Sequence, residues 1–154
     1  GHLDQSVFAK EILNKKKGPP PEINLFNEKN NGEVILNLIN KNYVKSSHDV
    51  SLGGIIIAIA KMCIKGKKGI KIKKPNYLIN QFEYLFGEDQ GRYIIEIEPT
   101  NHRKVKEILD KNSVHYDELG IVTEHDMVID SQSKVTIDEL IVSNTSWLSK
   151  YMSI

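Results

Sequence analysis

The sequence has few of the features that mark secreted or membrane proteins. One cysteine, Cys63, occurs among 154 residues, so no internal disulfide can form, and we expect a reducing, cytoplasmic location. No uninterrupted apolar run approaches the ~18 residues that a membrane-spanning helix needs. The first residues also lack the charged and apolar regions of a signal peptide. We therefore expect a cytoplasmic domain with no membrane partner.

The chain also lacks a large excess of either positive or negative charge. The chain has 21 Lys and Arg against 20 Asp and Glu, a formal net charge of +1, which argues against nucleic-acid binding by bulk electrostatics. Six lysines between positions 65 and 74 flank Ile70 and Ile72 in alternation, a pattern typical of an edge strand or a half-exposed strand. At this length the chain is expected to form one domain with enough core to fold alone.

A polar turn at residues 46–54, SSHDVSLGG, precedes the apolar run 55–64. Unpaired amides at the start of a helix attract anions such as phosphates, and the carboxylate of Asp49 can help hold a metal ion that bridges phosphates. The residues alone also fit a buried helix with Ser51 as its N-cap and glycines needed for packing. His48 by itself is more often structural than catalytic.

The octapeptide LFGEDQGR at 85–92 stands directly before the alternating run 93–98. It brings hydrogen-bonding side chains and exposed backbone to the mouth of a strand, where open α/β sheets tend to keep their ligands. A tight turn with solvated charges is the alternative interpretation. The pairing of this octapeptide with the 46–54 turn favours a site.

Five segments in order resemble one family. They are GHLDQS at 1–6, GPPPEINL at 18–25, EKNNG at 28–32, HDVSLGG at 48–54 and LFGEDQGR at 85–92. The chain is similar throughout to the C-terminal domain of phosphoribosylformylglycinamidine synthase of the large-subunit type, a purine-biosynthesis ligase. It departs from the family pattern at Leu52, where the family has Asp, and at Asp4, where the family has Gly.

The resemblance implies a fold of layered α+β or α/β type, like the C-terminal domain of AIR synthase, with a mixed central sheet and helices packed on it. Residues 1–154 are expected to form a single domain, in which 1–24 are an opening segment with a proline-rich linker. The domain is expected to be a fragment of a longer enzyme.

The resemblance implies that the enzyme uses ATP and glutamine-derived ammonia to convert formylglycinamide ribonucleotide to its amidine, with Mg²⁺ supporting phosphoryl transfer. Asp49 and Gly87 match nucleotide-binding positions, Glu88 a metal position and Gln90 a substrate-facing position. No catalytic residue is assigned, because the family's catalytic histidine lies in N-terminal domains, and His48 is not its counterpart. The isolated domain is expected to be inactive.

The implied partners are the enzyme's own N-terminal domains, a glutaminase subunit and a small bridging subunit. Two other classes stay open. One is a sister ATP-dependent enzyme: aminoimidazole ribonucleotide synthase, thiamine-phosphate kinase or selenophosphate synthetase. The other is a non-catalytic assembly module. The proline-rich stretch 18–25 and the string 87–92 favour the amidine-forming synthase.

Periodicity and punctuation predict the regular elements. Helices are predicted over 7–14, 25–42, 53–64, 101–111 and 139–151, and strands within 43–50, 69–73, 92–97 and 116–122. The 53–64 helix is apolar all round and is expected to be buried. Packing residues are predicted at Tyr77, Leu78, Phe82, Leu85, Trp147 and Leu148.

Overall fold

A computed structural model describes residues 2–73, 80–129 and 133–153. Within these ranges the helices are α1 (Val7–Glu11), α2 (Leu25–Asn40), α3 (Gly54–Gly66), α4 (Gln81–Phe86), α5 (His102–Lys111) and α6 (Ile137–Met152). The strands are β1 (Val44–Asp49), β2 (Gly69–Ile72), β3 (Tyr93–Ile97), β4 (Gly120–Thr123), β5 (Asp126–Val128) and β6 (Lys134–Thr136). A short 3-10 turn, Pro99–Asn101, leads into α5. None of the described helices combines the length and apolar character needed to cross a membrane.

The chain forms two compact units, each built from two stretches of sequence. The first unit comprises Gly1–Ile59 and Leu78–Tyr116, and the second comprises Ala60–Tyr77 and Asp117–Ile154. Helix α3 therefore contributes its first half to one unit and its second half to the other.

The core of the first unit lies between α2, α5 and an antiparallel pair of strands. Val34 and Leu38 are four residues apart on α2, as Val105 and Leu109 are on α5, so each pair faces one side of its helix. All four are buried and form one cluster. Partly buried residues of β1, β3 and the segment after α5 pack against it: Val44, Ile95, Ile97, Val114 and Tyr116.

Strands β1 and β3 run antiparallel, with Asp49 opposite Tyr93 and Val44 opposite Ile97. The register shifts once, between Val44 and Ser46. Because a two-stranded ribbon is marginal alone, packing against the α2–α5 cluster supplies the burial that stabilises it. The ribbon thereby fixes the end of β1 beside the start of β3.

The second unit contains a four-stranded sheet with the order β4-β2-β5-β6. Strand β2 pairs antiparallel with β4 and parallel with β5, and β5 pairs antiparallel with β6. Helix α6 follows β6 directly and begins with a capping box, in which Thr136 accepts from the amide of Glu139 and the Glu139 carboxylate accepts from the amide of Thr136. This reciprocal cap satisfies amides that a helix start leaves unpaired.

The predicted fold class is confirmed as a mixture of helices and sheet. In the described part of the chain the strands are divided between two sheets, whereas one central sheet was expected. The largest boundary differences are that α1 ends at Glu11 rather than at 14, and that β4 begins at Gly120 rather than at 116. The predictions for Tyr77 and Leu78 lie outside the described residues.

The packing predictions have mixed outcomes. Leu85 is buried, whereas Phe82 is 56% exposed although its ring contacts those of Phe8 and Phe86. The predictions for Trp147, Leu148 and the full burial of α3 are wrong. Trp147 is 64% exposed and Leu148 54% exposed, because the buried residue of α6 is Ile137, at the start of the helix. Trp147 instead stacks on Tyr151 of its own helix, with ring centroids 5.6 Å apart. Helix α3 is not covered all round, since Ile57 is 40% exposed while Ile55, Ile56, Ala58 and Ile59 are buried.

Candidate functional site

The two polar segments singled out in the sequence lie side by side. Asp49, the last residue of β1, pairs with Tyr93, the first residue of β3. Just beyond this pair, the amide of Val50 donates to the carbonyl of Arg92 at 2.9 Å, and the amide of Gly53 donates to Oε1 of Glu88, also at 2.9 Å. The 46–54 turn and the 85–92 octapeptide thus form one structure at the end of the ribbon.

Glycines allow the two segments to touch backbone to backbone. Gly54 has φ +71°, and a Cβ there would stand 2.7 Å from the carbonyl oxygens of both Gly87 and Leu85. Gly53 before it has φ +84°. Both angles lie in the left-handed region that favours glycine, so the Gly-Gly pair is required by the turn and by close packing.

Gly87, a predicted nucleotide contact, is buried. Its amide donates to the carbonyl of Glu83 at 2.9 Å, and its carbonyl accepts from Nη2 of Arg92 at 2.6 Å. A Cβ would lie 2.5 Å from the Glu83 carbonyl oxygen. Gly87 therefore has an evident packing role, and its role toward a nucleotide stays a prediction.

Arg92 holds the octapeptide in shape, a role that the sequence reasoning missed. Its guanidinium reaches back to the Gly87 carbonyl, lies 3.2 Å from a carboxylate oxygen of Asp89 and donates through Nε to the Asp89 carbonyl at 3.3 Å. From α2, Asn31 donates to the carbonyl of Gly91 at 3.0 Å. The available signal was an arginine three residues after an aspartate in a glycine-containing turn.

Asp49 presents its carboxylate to solvent at a groove of about 460 Å³. Its side chain is 64% exposed. The neighbouring His48 ring places Nδ1 2.6 Å from the Asp49 carbonyl oxygen and 3.4 Å from its carboxylate. A carbonyl oxygen only accepts, so this contact requires a proton on Nδ1. The groove is lined by Gly32, Ile35, Leu36, Ile39, Ser47, His48, Asp49 and Tyr93.

Glu88 and Gln90 line a second, smaller cavity of about 220 Å³. Its other lining residues are Asp4, Gln5, Pro21, Ser51 and Leu52. The four predicted site residues are therefore distributed: Asp49 on the groove, Glu88 and Gln90 on the cavity, and Gly87 buried in the octapeptide. Both departures from the family pattern, Leu52 and Asp4, line this same cavity.

The donor set fits only one kind of magnesium site. The part of the chain that the structure describes contains no cluster of three or more His, Cys, Asp or Glu side chains able to hold a metal. Magnesium in nucleotide sites commonly takes one or two carboxylates and completes its shell with phosphate oxygens and water. Asp49 and Glu88 offer oxygens of the right chemistry for a cation carried by a nucleotide, but not for a cage made of protein alone.

Comparison of the sequence with known protein families identifies the family to which this chain belongs. The family described as "AIR synthase related protein, C-terminal domain" matches residues 3–148. The chain belongs to this family, as the sequence predicted.

Two similar proteins carry the same name. The chain is 69% identical over 152 residues to "Phosphoribosylformylglycinamidine synthase subunit PurL" of Pelagibacter ubique, covering 99% of this chain and 21% of that protein. A protein of the same name from Bartonella henselae is 40% identical over 151 residues, covering 98% of this chain and 20% of its own length. The chain thus spans about a fifth of the length of these relatives.

Solved structures agree on the fold. T. maritima PurL complexed with FGAR matches with a TM-score of 0.69 at 21% identity, covering 87% of this chain and 24% of that chain. T. maritima PurL complexed with ATP matches with a TM-score of 0.61 at 21% identity, covering 73% and 21% respectively. At this identity the likeness establishes the fold alone.

Proposed function

We propose that the chain is a domain of an ATP-dependent ligase that converts formylglycinamide ribonucleotide, ATP and glutamine-derived ammonia to formylglycinamidine ribonucleotide in the cytoplasm. Support comes from the name shared by its relatives, one of them 69% identical, and from solved structures of similar fold complexed with ATP or FGAR. Because these relatives are named phosphoribosylformylglycinamidine synthase, the sister-enzyme alternatives are less favoured.

The observation that carries the proposal is the joining of two polar, glycine-containing turns at one end of the β1–β3 ribbon. The joined turns present an exposed Asp49 carboxylate and the exposed Gln90 side chain. Hydrogen bonds within and between the turns keep them in place. A rigid scaffold carrying exposed polar loops is the usual setting of a ligand site.

We assign the predicted residues separate tasks. Asp49 contacts the nucleotide, through water or through its magnesium ion, and Glu88 contributes a second carboxylate toward that ion. Gly87 contacts the nucleotide, and Gln90 faces the substrate. When bound, the magnesium ion would neutralise phosphate charge; the chain's own contribution is to orient and bind.

The proposed partners are further domains of the same ligase, a glutaminase subunit and a small bridging subunit. The chain spans about a fifth of its relatives, so we expect the purified chain alone not to make the amidine. The assay supplies formylglycinamide ribonucleotide, Mg²⁺·ATP and ammonia and measures product against a heat-treated sample. Product above that background would contradict this expectation.

The test of the site is titration of the chain with Mg²⁺·ATP, followed by amide chemical shifts. In Asp49→Asn we expect affinity to fall roughly tenfold, the loss of one charge-assisted contact. The thermal midpoint should hold, because the side chain is 64% exposed. Asp110→Asn, which removes an exposed charge from α5 in the same unit, is the matched control and should change neither property.

Two results would contradict the assignment. If Asp49→Asn unfolds the chain while the folded fraction keeps its affinity, Asp49 is a turn-former that bonds its own backbone. If no amide chemical shift of the unaltered chain changes at millimolar Mg²⁺·ATP, the nucleotide role is wrong and the interpretation as a non-catalytic assembly module is favoured.

A further inference from the structure

One carboxylate oxygen of Glu88 is shared by two distant parts of the first unit. Its Oε1 accepts from the amide of Val7 at 2.7 Å and from the amide of Gly53 at 2.9 Å. Val7 is the first residue of α1, and Gly53 immediately precedes α3. The two donors are separated by 46 residues in sequence, so this oxygen joins segments that share no local structure.

The amide of Val7 opens α1 and that of Gly53 immediately precedes α3, so both need acceptors from outside these helices. The first amides of a helix have no intrahelical partner. In α1 the N-cap Ser6 uses its hydroxyl oxygen for the amide of Ala9, at 3.1 Å, so the amide of Val7 depends on another group. A carboxylate suits this place because its charge complements the positive end of the helix.

The same oxygen joins the walls of the 220 Å³ cavity. Asp4 and Gln5 come from the approach to α1, whereas Ser51 and Leu52 come from the turn before α3. Glu88 lines the cavity together with these two pairs and bonds to the backbone that follows each of them. The shape of the cavity therefore depends on where Glu88 Oε1 stands.

We propose that Glu88 is a positioning residue, whose Oε1 holds the start of α1 against the Gly53–Gly54 turn and so sets the cavity beside Gln90. This inference rests on the proposed function in so far as the cavity serves the ligand. The two oxygens of the Glu88 carboxylate then have different roles. Oε1 positions the backbone, and the hydrogen bonds given above leave Oε2 available to a cation carried by a nucleotide. The acceptor atom and the negative charge thus have separable roles.

Three substitutions separate these roles, read by amide hydrogen exchange at Val7 and Gly53. Glu88→Gln keeps an acceptor oxygen and removes the charge, so exchange should rise clearly less than in Glu88→Ala. Glu88→Ala removes both, and exchange should rise roughly tenfold or more, as expected for a lost bond to a charged group. Glu88→Asp keeps the charge but withdraws the carboxylate by one methylene, and should also accelerate exchange. Glu88→Asp replaces Glu88→Ala as the test variant if the alanine variant does not fold.

Glu11→Gln is the matched control, since Glu11 is an exposed carboxylate on α1 whose ion pair is with the adjacent Lys10. It should leave both amides unchanged. The proposal is overturned if Glu88→Ala and Glu88→Asp leave exchange at both amides within twofold. It is also overturned if Glu88→Gln accelerates exchange as much as alanine does, because the charge alone would then hold the two segments.

Affinity for Mg²⁺·ATP, measured on the folded protein, distinguishes this proposal from the proposed function. Positioning predicts that Glu88→Ala weakens binding more than Glu88→Gln does, because glutamine restores the cavity without the charge. Equal losses would mean that Glu88 acts on the cation alone, against positioning. If the unaltered chain does not bind, the nucleotide role fails, whereas the exchange rates still decide whether Glu88 joins the two segments.

Discussion

Replacing Gly54 by alanine should destabilise the chain severely for so small a change. The residue has φ +71°, and a Cβ would lie 2.7 Å from two carbonyl oxygens and 2.8 Å from the carbonyl carbon of Phe86. The left-handed conformation costs a non-glycine residue roughly 1–2 kcal/mol. Overpacking against rigid backbone adds about 1–3 kcal/mol, for a sum of about 2–5 kcal/mol. The whole free energy of unfolding of a typical domain is only about 5–15 kcal/mol.

The matched control is Gly66→Ala, at the other end of the same helix. A Cβ at Gly66 meets nothing within 4 Å, so alanine should be neutral or stabilise by up to about 1 kcal/mol. Urea titration followed by far-UV circular dichroism measures both variants. The midpoint for Gly54→Ala should fall by about 1 M or more. If Gly54→Ala stays within about 0.5 kcal/mol of the unaltered chain while Gly66→Ala behaves as expected, the backbone approach of the two turns is not as close as described.

Three further predictions concern single side chains. Hydrogen bonds from Thr136 lower the pKa of Glu139 in the folded chain below its usual 4.5. The stability that the ionised Glu139 contributes is therefore fully present above pH 4.5 and is lost as the pH falls through the lowered pKa of the folded chain. Glu139→Gln should therefore reduce the acid dependence of the urea midpoint, and unchanged dependence would refute the linkage. Trp147, the sole tryptophan and stacked on Tyr151, is 64% exposed and should be quenched readily by acrylamide; strong protection would contradict its exposure. Burial raises the pKa of the Cys63 thiol, so Cys63 should react slowly with a disulfide reagent at neutral pH and quickly in urea, whereas equal rates would rule out burial.

The place of each site segment at the end of a strand follows from local signals in the sequence. Asp49 lies at the end of one predicted strand and Tyr93 at the start of another, and the pairing of these two strands then brings the turns together. The apolar spacing of Ile35, Leu38 and Ile39 likewise predicts one face of α2, and of these residues Leu38 is buried whereas Ile39 is 42% exposed. Such features depend on period and neighbours, which the sequence displays directly.

Other features depend on contacts between residues far apart in sequence. The bond from Val7 to Glu88 spans 81 positions, and no local pattern specifies which amide a glutamate will reach. The division of the strands into two sheets depends on which edges pair in three dimensions, a choice that alternation leaves open. Trp147 was expected to pack because aromatic residues are often buried, but its position far along α6 leaves it in solvent.

The interleaving of the two units limits how this protein can be dissected. Each unit takes one stretch from each half of the chain, and the sequence passes from one to the other near residues 59, 78 and 116. A single truncation between 60 and 116 therefore removes part of both units, and no N- or C-terminal piece contains one whole unit without part of the other. Isolating the first unit would require excising 60–77 and bridging the gap with a short linker, at the cost of cutting α3 in its middle. During synthesis, likewise, residues 1–59 are made before residues 78–116. The first unit can therefore fold completely only after residues 60–77 of the second unit have also been synthesised.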